Sequence, residues 1–155
     1  MRLDEAIDSI MAAAKQRLER AIAPAGLLEG IEEVVRGDRA RPKPLTPCIW
    51  MFAEMAQCSD RTFGLQETWE LPVVLAPVVK NDEPEEGYKQ ASAFAAKARS
   101  AIFTDELGQP DRTLGLRSLV QDVKSVRFEP SGPAHRDGSL FGAAAVVMVR
   151  FRILE

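Results

Sequence analysis

Histidine occurs once in the 155 residues, cysteine twice and tyrosine once. That scarcity removes the commonest catalytic material. A Ser-His-Asp set would have to draw its base from His135, inside the turn-rich stretch Ser131-Gly132-Pro133-Ala134-His135-Arg136-Asp137-Gly138, whereas such a base needs a rigid, oriented ring. His135 reads instead as an exposed loop histidine. Cys48 and Cys58 have nine residues between them, not the close spacing of a zinc pair, and with His135 they make three ligands where a structural site needs four. They read as two reduced thiols, at least one of them buried. No basic excess is present: 20 Lys and Arg face 23 Asp and Glu, a net charge of −3, which argues against a chain whose main work is gripping nucleic acid. No apolar run reaches the ~20 residues of a membrane helix, since the longest, Leu140 to Val149, contains Gly142 and stops at Arg150. The acidic start Met1-Arg2-Leu3-Asp4-Glu5 reads as a helix beginning, with no secretory signal. There is no G-x-x-x-x-G-K-[ST] loop, no G-x-G-x-x-G and no G-x-S-x-G elbow. Hydrophobic residues at 46% and charged residues at 28% are ordinary for a globular chain, so what remains is a folded protein of structural or binding type.

The elements follow from periodicity. Leu3, Ile7, Ile10, Met11, Ala14, Leu18 and Ala21/Ile22 recur at intervals of three and four, predicting a helix over about 3–22 that Pro24 and Gly26 stop. Its acids come first and Arg17 and Arg20 last, an order that suits the helix dipole. Gly30 to Asp38 predicts a short strand, Pro47 to Glu54 a hydrophobic one, and Ala56 to Arg61 a polar connection. Phe63 to Val79 predicts a long strand or pair of strands. Leu65, Trp69, Leu71, Val73 and Leu75 share a face there, Glu67 interrupts it, and Pro72 and Pro77 imply an edge, a bulge or a break. Trp50 and Trp69 fall in strands, where core packing is expected. A second helix opens at Asn81–Glu86, with Asp82 as cap and Glu85 three residues on, and carries the apolar stripe Tyr88, Ala91, Phe94, Ala95, Ala98, Ile102. After a polar stretch, Thr104 to Arg112, two strands close the chain, Leu116 to Glu129 with a bulge near Lys124-Ser125 and Ser139 to Leu154, paired as an antiparallel hairpin. The order α-β-β-β-α-β-β predicts one α+β domain over 1–155, a mostly antiparallel sheet with two helices packed on one face.

The charge is unevenly placed. Arg36, Arg39, Arg41 and Lys43 make a basic, proline-stiffened loop; Asp82, Glu83, Glu85 and Glu86 make an acidic helix start. The acids lack the glycine and ligand spacing of a calcium loop and read as a solvated helix terminus. The basic loop reads as solvated, as a subunit contact or as a weak, salt-sensitive phosphate contact. Opposite charges at different places on one chain suit a head-to-tail contact, which closes into a ring when the rotation allows.

The layout resembles the tail terminator, or tail completion, proteins of long-tailed and Mu-like bacteriophages and prophages. The likeness lies in the order of parts. An N-terminal amphipathic helix precedes the proline-marked Arg41-Pro42-Lys43-Pro44-Leu45-Thr46-Pro47-Cys48-Ile49-Trp50. The strand Glu67-Thr68-Trp69-Glu70-Leu71-Pro72-Val73-Val74-Leu75 follows, then the alanine-rich helix opened by Pro84-Glu85-Glu86-Gly87-Tyr88-Lys89-Gln90-Ala91. A closing strand ends Val146-Val147-Met148-Val149-Arg150-Phe151-Arg152-Ile153. The resemblance implies a non-enzymatic, cofactor-free and metal-free homo-oligomer. Its hexameric ring would cap the tail tube, end tube polymerisation and meet head-completion proteins, with DNA only in transit through its hole. It would assemble in the cytoplasm and then belong to the virion tail. The residues themselves leave other readings open: a head-tail connector or contractile-particle component, a subunit of a nonviral complex, or a small-molecule-binding or enzymatic α+β domain.

Overall fold

A computed structural model describes residues 1–37, 46–62 and 66–154. Two helices, α1 (Leu3–Ala21) and α2 (Pro84–Ile102), lie on one face of an eight-stranded sheet. Its strands are β1 (Glu33–Arg36), β2 (Cys48–Ala53), β3 (Gln57–Thr62), β4 (Gln66–Lys80), β5 (Val120–Glu129), β6 (Arg136–Asp137), β7 (Leu140–Gly142) and β8 (Ala144–Leu154). This is the expected α+β architecture in the expected order, with additions. Every described pairing is antiparallel except β1 on β2.

Strand β4 is the spine. Along one side it pairs with β2 and then β3, along the other with β7 and then β8. This arrangement explains how a central strand holds two prolines without the edge, bulge or break expected there. In an antiparallel ladder a residue's N–H and C=O point to the same neighbour. The Pro72 carbonyl accepts from the amide of Glu54, so its absent N–H faces the gap where β2 has ended at Ala53 and β3 has not begun. The Pro77 carbonyl accepts from Ala143, the residue between β7 and β8. Both missing donors therefore fall at seams in the neighbouring strands, and β4 itself runs on.

Three expectations about where elements begin and end need correction. The Ala56–Arg61 stretch, expected as a polar connection, is mostly strand: β3 pairs with the first half of β4, helped by Ser59 Oγ donating to the Thr68 carbonyl at 3.2 Å and by Arg61 beside Glu67 at 3.6 Å. Residues 57–61 are exposed, so no apolar alternation marks the strand. Helix α2 starts at Pro84 with Glu83 at the cap position, and the cap's side chain makes no hydrogen bond. Asn81 Oδ1, not Asp82, takes the Glu83 amide at 2.9 Å. The final strand divides at Ala143, and residues 133–137 of the expected loop form a 3-10 turn (Pro133–His135) and β6, which folds back on β7. The β5–β8 pairing is as expected, with register shifts between Val120 and Asp122 and between Ser125 and Arg127, close to the bulge anticipated at Lys124-Ser125.

One apolar cluster runs from Ala6 to Ile153. It joins the α1 stripe (Ile10, Ala14, Leu18) and the α2 stripe (Ala91, Ala95, Ala98) to Leu71, Val73 and Leu75 of β4 and to Val147, Val149 and Phe151 of β8. Alanines let α2 lie close to the sheet. At Gly87 it lies so close that a Cβ would sit 2.4 Å from Phe141 Cδ2. Trp69 packs on this core and donates its indole N–H to Glu67 at 2.8 Å, which gives the carboxylate that interrupts the apolar face a partner. Trp50 departs from the core expectation. It pairs with Ala76, on the opposite sheet face from Met51 and Leu75, and is half-buried there.

Both cysteines are free thiols. Cys48 is fully buried and Cys58 exposed. Burial, with Glu33 nearby, pushes the Cys48 thiol up to about 11. Iodoacetamide at mildly alkaline pH is therefore expected to add once to the folded chain, at Cys58, and twice in denaturant. Two adducts by mass spectrometry without denaturant would contradict the burial of Cys48.

Candidate functional site

The acidic start of α2 is a surface feature. Asp82, Glu83, Glu85 and Glu86 are all exposed. Lys89 lies 3.5 Å from Glu85 and 4.0 Å from Glu86, one cation against four carboxylates. Carboxylates are favourable at this end of a helix, so the cluster needs no ligand to exist.

Its basic counterpart divides. Arg36 is in β1 and buried, with Nη1 donating to Asp8 Oδ1 of α1 at 3.0 Å; it ties helix to sheet. Arg39, Arg41 and Lys43 lie outside the described residues. His135 is exposed in its 3-10 turn. Among the described residues no three His, Cys, Asp or Glu side chains stand close enough to hold a metal ion, and no helix is long and apolar enough to cross a membrane.

The structure brings together a group at the other end of the helices that the sequence did not announce. Arg17 is only 5% exposed. Its Nη1 donates to the carbonyls of Ile102 (2.7 Å) and Asp111 (3.2 Å), and its Nη2 pairs with Asp111 Oδ2. Asp111 also accepts from the Thr113 hydroxyl at 2.7 Å and from the amides of Thr113 and Gly115. Burial alone would raise this carboxyl; the donors from Thr113 and Arg17 outweigh it and hold Asp111 at about 2. One guanidinium thus pins α1, the end of α2 and the 104–115 segment together. The only sequence signal was a cation three residues beyond Ala14, on the apolar face of α1.

Beside this pin runs a groove of about 550 Å³, lined by Arg99, Ser100, Phe103, Thr104, Pro110 and Arg112 among others. Phe103 is stacked by two cations, with the Arg99 guanidinium carbon 5.1 Å and the Arg112 carbon 5.4 Å from its ring centre. Arg99 Nε donates to Ser125 Oγ. Neither arginine has a carboxylate partner among the described residues. Asp111, which also lines the groove, is taken by Arg17.

No family model matches the chain, and no curated protein matches it by sequence. Among solved structures it is similar to a chain of the virion of a native gene transfer agent (GTA) particle, at 14% identity and a TM-score of 0.60, over 93% of this chain and 95% of that one. At that identity the likeness is one of fold, and it extends over nearly the full length of both chains.

Proposed function

We propose that this chain is a non-enzymatic structural subunit of a phage-like particle, and within that class a tail terminator. The observation that carries the proposal is the near full-length fold likeness to a gene transfer agent virion chain. It is joined by the order of parts that resembles tail terminators and by the four exposed carboxylates at the start of α2. In this reading residues 1–155 act as one unit and six copies form a ring on the last ring of the tail tube. One ring face matches the tube and the other meets head-completion proteins, so tube growth stops there. DNA crosses the hole without being held. The ring forms in the cytoplasm and stays in the virion tail. The acidic residues Asp82, Glu83, Glu85 and Glu86 meet a basic surface of the next subunit. The sequence offers Arg39, Arg41 and Lys43 as one candidate for that surface and the fold offers Arg99 and Arg112 as another, while Arg36 is already engaged by Asp8.

Deleting the gene from the particle it belongs to tests this. Tubes of uncontrolled length and heads without tails are expected in electron micrographs, and adding back the chain restores defined tails. Particles with normal tails after deletion would overturn the reading. Light scattering of the assembled chain should give six times the 17.1 kDa subunit mass.

A further inference from the structure

We infer that the Arg99–Phe103–Arg112 groove is the receptor for the acidic start of α2 from a second copy of this chain. The inference rests on the ring reading and gives its subunit contact a chemistry. Two guanidiniums held on one aromatic ring are planar donors fixed in place, so less side-chain freedom remains to be lost when a carboxylate binds. Ser100 and Thr104 border the same groove. Pro110 and the Phe103 edge give it an apolar wall, so it fits a carboxylate-bearing segment with some apolar body rather than a bare ion. Asp82, Glu83, Pro84, Glu85 and Glu86 make such a segment, with four exposed carboxylates around a proline.

The two surfaces cannot meet within one molecule. Glu85 and Arg99 lie on the same rigid helix, about 20 Å apart at ~1.5 Å per residue. The acidic start is at one end of α2 and the groove at the other. A contact between them is heterologous, head to tail, and repeats from copy to copy. Helix α2 then becomes the spacer that sets the distance from each subunit contact to the next.

Three full-length variants test the contact: R99E/R112E, E83K/E85K/E86K and R39E/R41E, each checked for wild-type circular dichroism. Sedimentation is measured at low and high salt up to millimolar chain. The wild type is expected to associate and to weaken as salt rises. R99E/R112E and E83K/E85K/E86K should each associate about tenfold or more weakly. An equimolar mixture of those two should recover association, because each then carries the charge the other has reversed. R39E/R41E should behave as wild type. The groove assignment is overturned if the wild type associates and R99E/R112E is unchanged, or if R39E/R41E alone abolishes association; either result leaves the ring reading standing. A wild-type chain that stays monomeric throughout overturns the self-docking, and the gene deletion then judges the ring separately. Binding of duplex DNA that R99E/R112E abolishes, with self-association unaffected, would replace the inference with a nucleic-acid contact.

Discussion

Arg17→Ala is expected to lower stability by about 3–5 kcal/mol, the cost of breaking a buried pair by removing one partner. For a chain of this length that is a fall in melting temperature on the order of 10 °C. The reason is the number of groups left behind. The Ile102 and Asp111 carbonyls lose a donor, and Asp111, 15% exposed, keeps its charge without its cation. Arg17→Met keeps most of the side-chain volume and should recover only the packing part of the loss. Differential scanning calorimetry reads both. A shift under 2 °C for Arg17→Ala would mean the pin contributes little.

The same pair sets a pH dependence, and its sign can be worked out. The Asp111 carboxyl stands at about 2 in the folded chain, below its ordinary value of 3.8. A depressed carboxylate stabilises the fold above the ordinary value, and that contribution is lost as pH falls towards the folded one. The stability gap between wild type and Asp111→Asn should therefore be constant above about pH 5 and close between about pH 4 and 2. Urea unfolding across that range measures it. A gap that does not narrow would show that Asp111 is not held in this way.

Phe141→Ala is the second large effect, at about 3–5 kcal/mol for a fully buried ring. What makes it diagnostic is its coupling to Gly87. In the wild type, Gly87→Ala would place a Cβ 2.4–2.7 Å from three Phe141 ring carbons. Overpacking of that kind costs about 1–3 kcal/mol, set against about 1 kcal/mol gained by replacing a helical glycine with alanine. In the Phe141→Ala background the clash is gone and the helix gain remains, so Gly87→Ala should turn from destabilising to neutral or stabilising. Tyr88, edge-on to Phe141 at 5.1 Å, loses its ring partner in both backgrounds that carry Phe141→Ala, so it drops out of that comparison. A double-mutant cycle with no coupling would show that α2 does not rest on Phe141 as described.

Helices were legible in the sequence because their signal is local. The α1 stripe and the α2 stripe repeat at a spacing that only one conformation satisfies, and most of their residues are buried, with Leu3, Ile7 and Tyr88 half-buried at the margins. The inward residues of β4 and β8 were legible for the same reason, with a period of two. Strand β3 was not, because its described side chains face water and a backbone ladder leaves no mark on composition. The prolines of β4 suggested a break because sequence shows a missing donor but not where the neighbouring strands end. Acidic residues 82–86 were visible as a cluster, since they are contiguous. The Arg99–Phe103–Arg112 groove and the Arg17–Asp111 pin were not, since the pin joins residues 94 apart in the chain.

Shortage of histidine and cysteine, an unremarkable core composition and two amphipathic helices on a strand-rich chain were fixed by the residues alone, because each depends on near neighbours or on totals. Which arginines are spent inside the fold and which face solvent was decided only by tertiary structure. Arg17 and Arg36 are consumed by carboxylates brought to them from other elements, while Arg99 and Arg112 are left over an aromatic ring with donors to spare. A guanidinium's role depends on which oxygen lies within about 3 Å of it, and in this chain those oxygens arrive from far along the sequence.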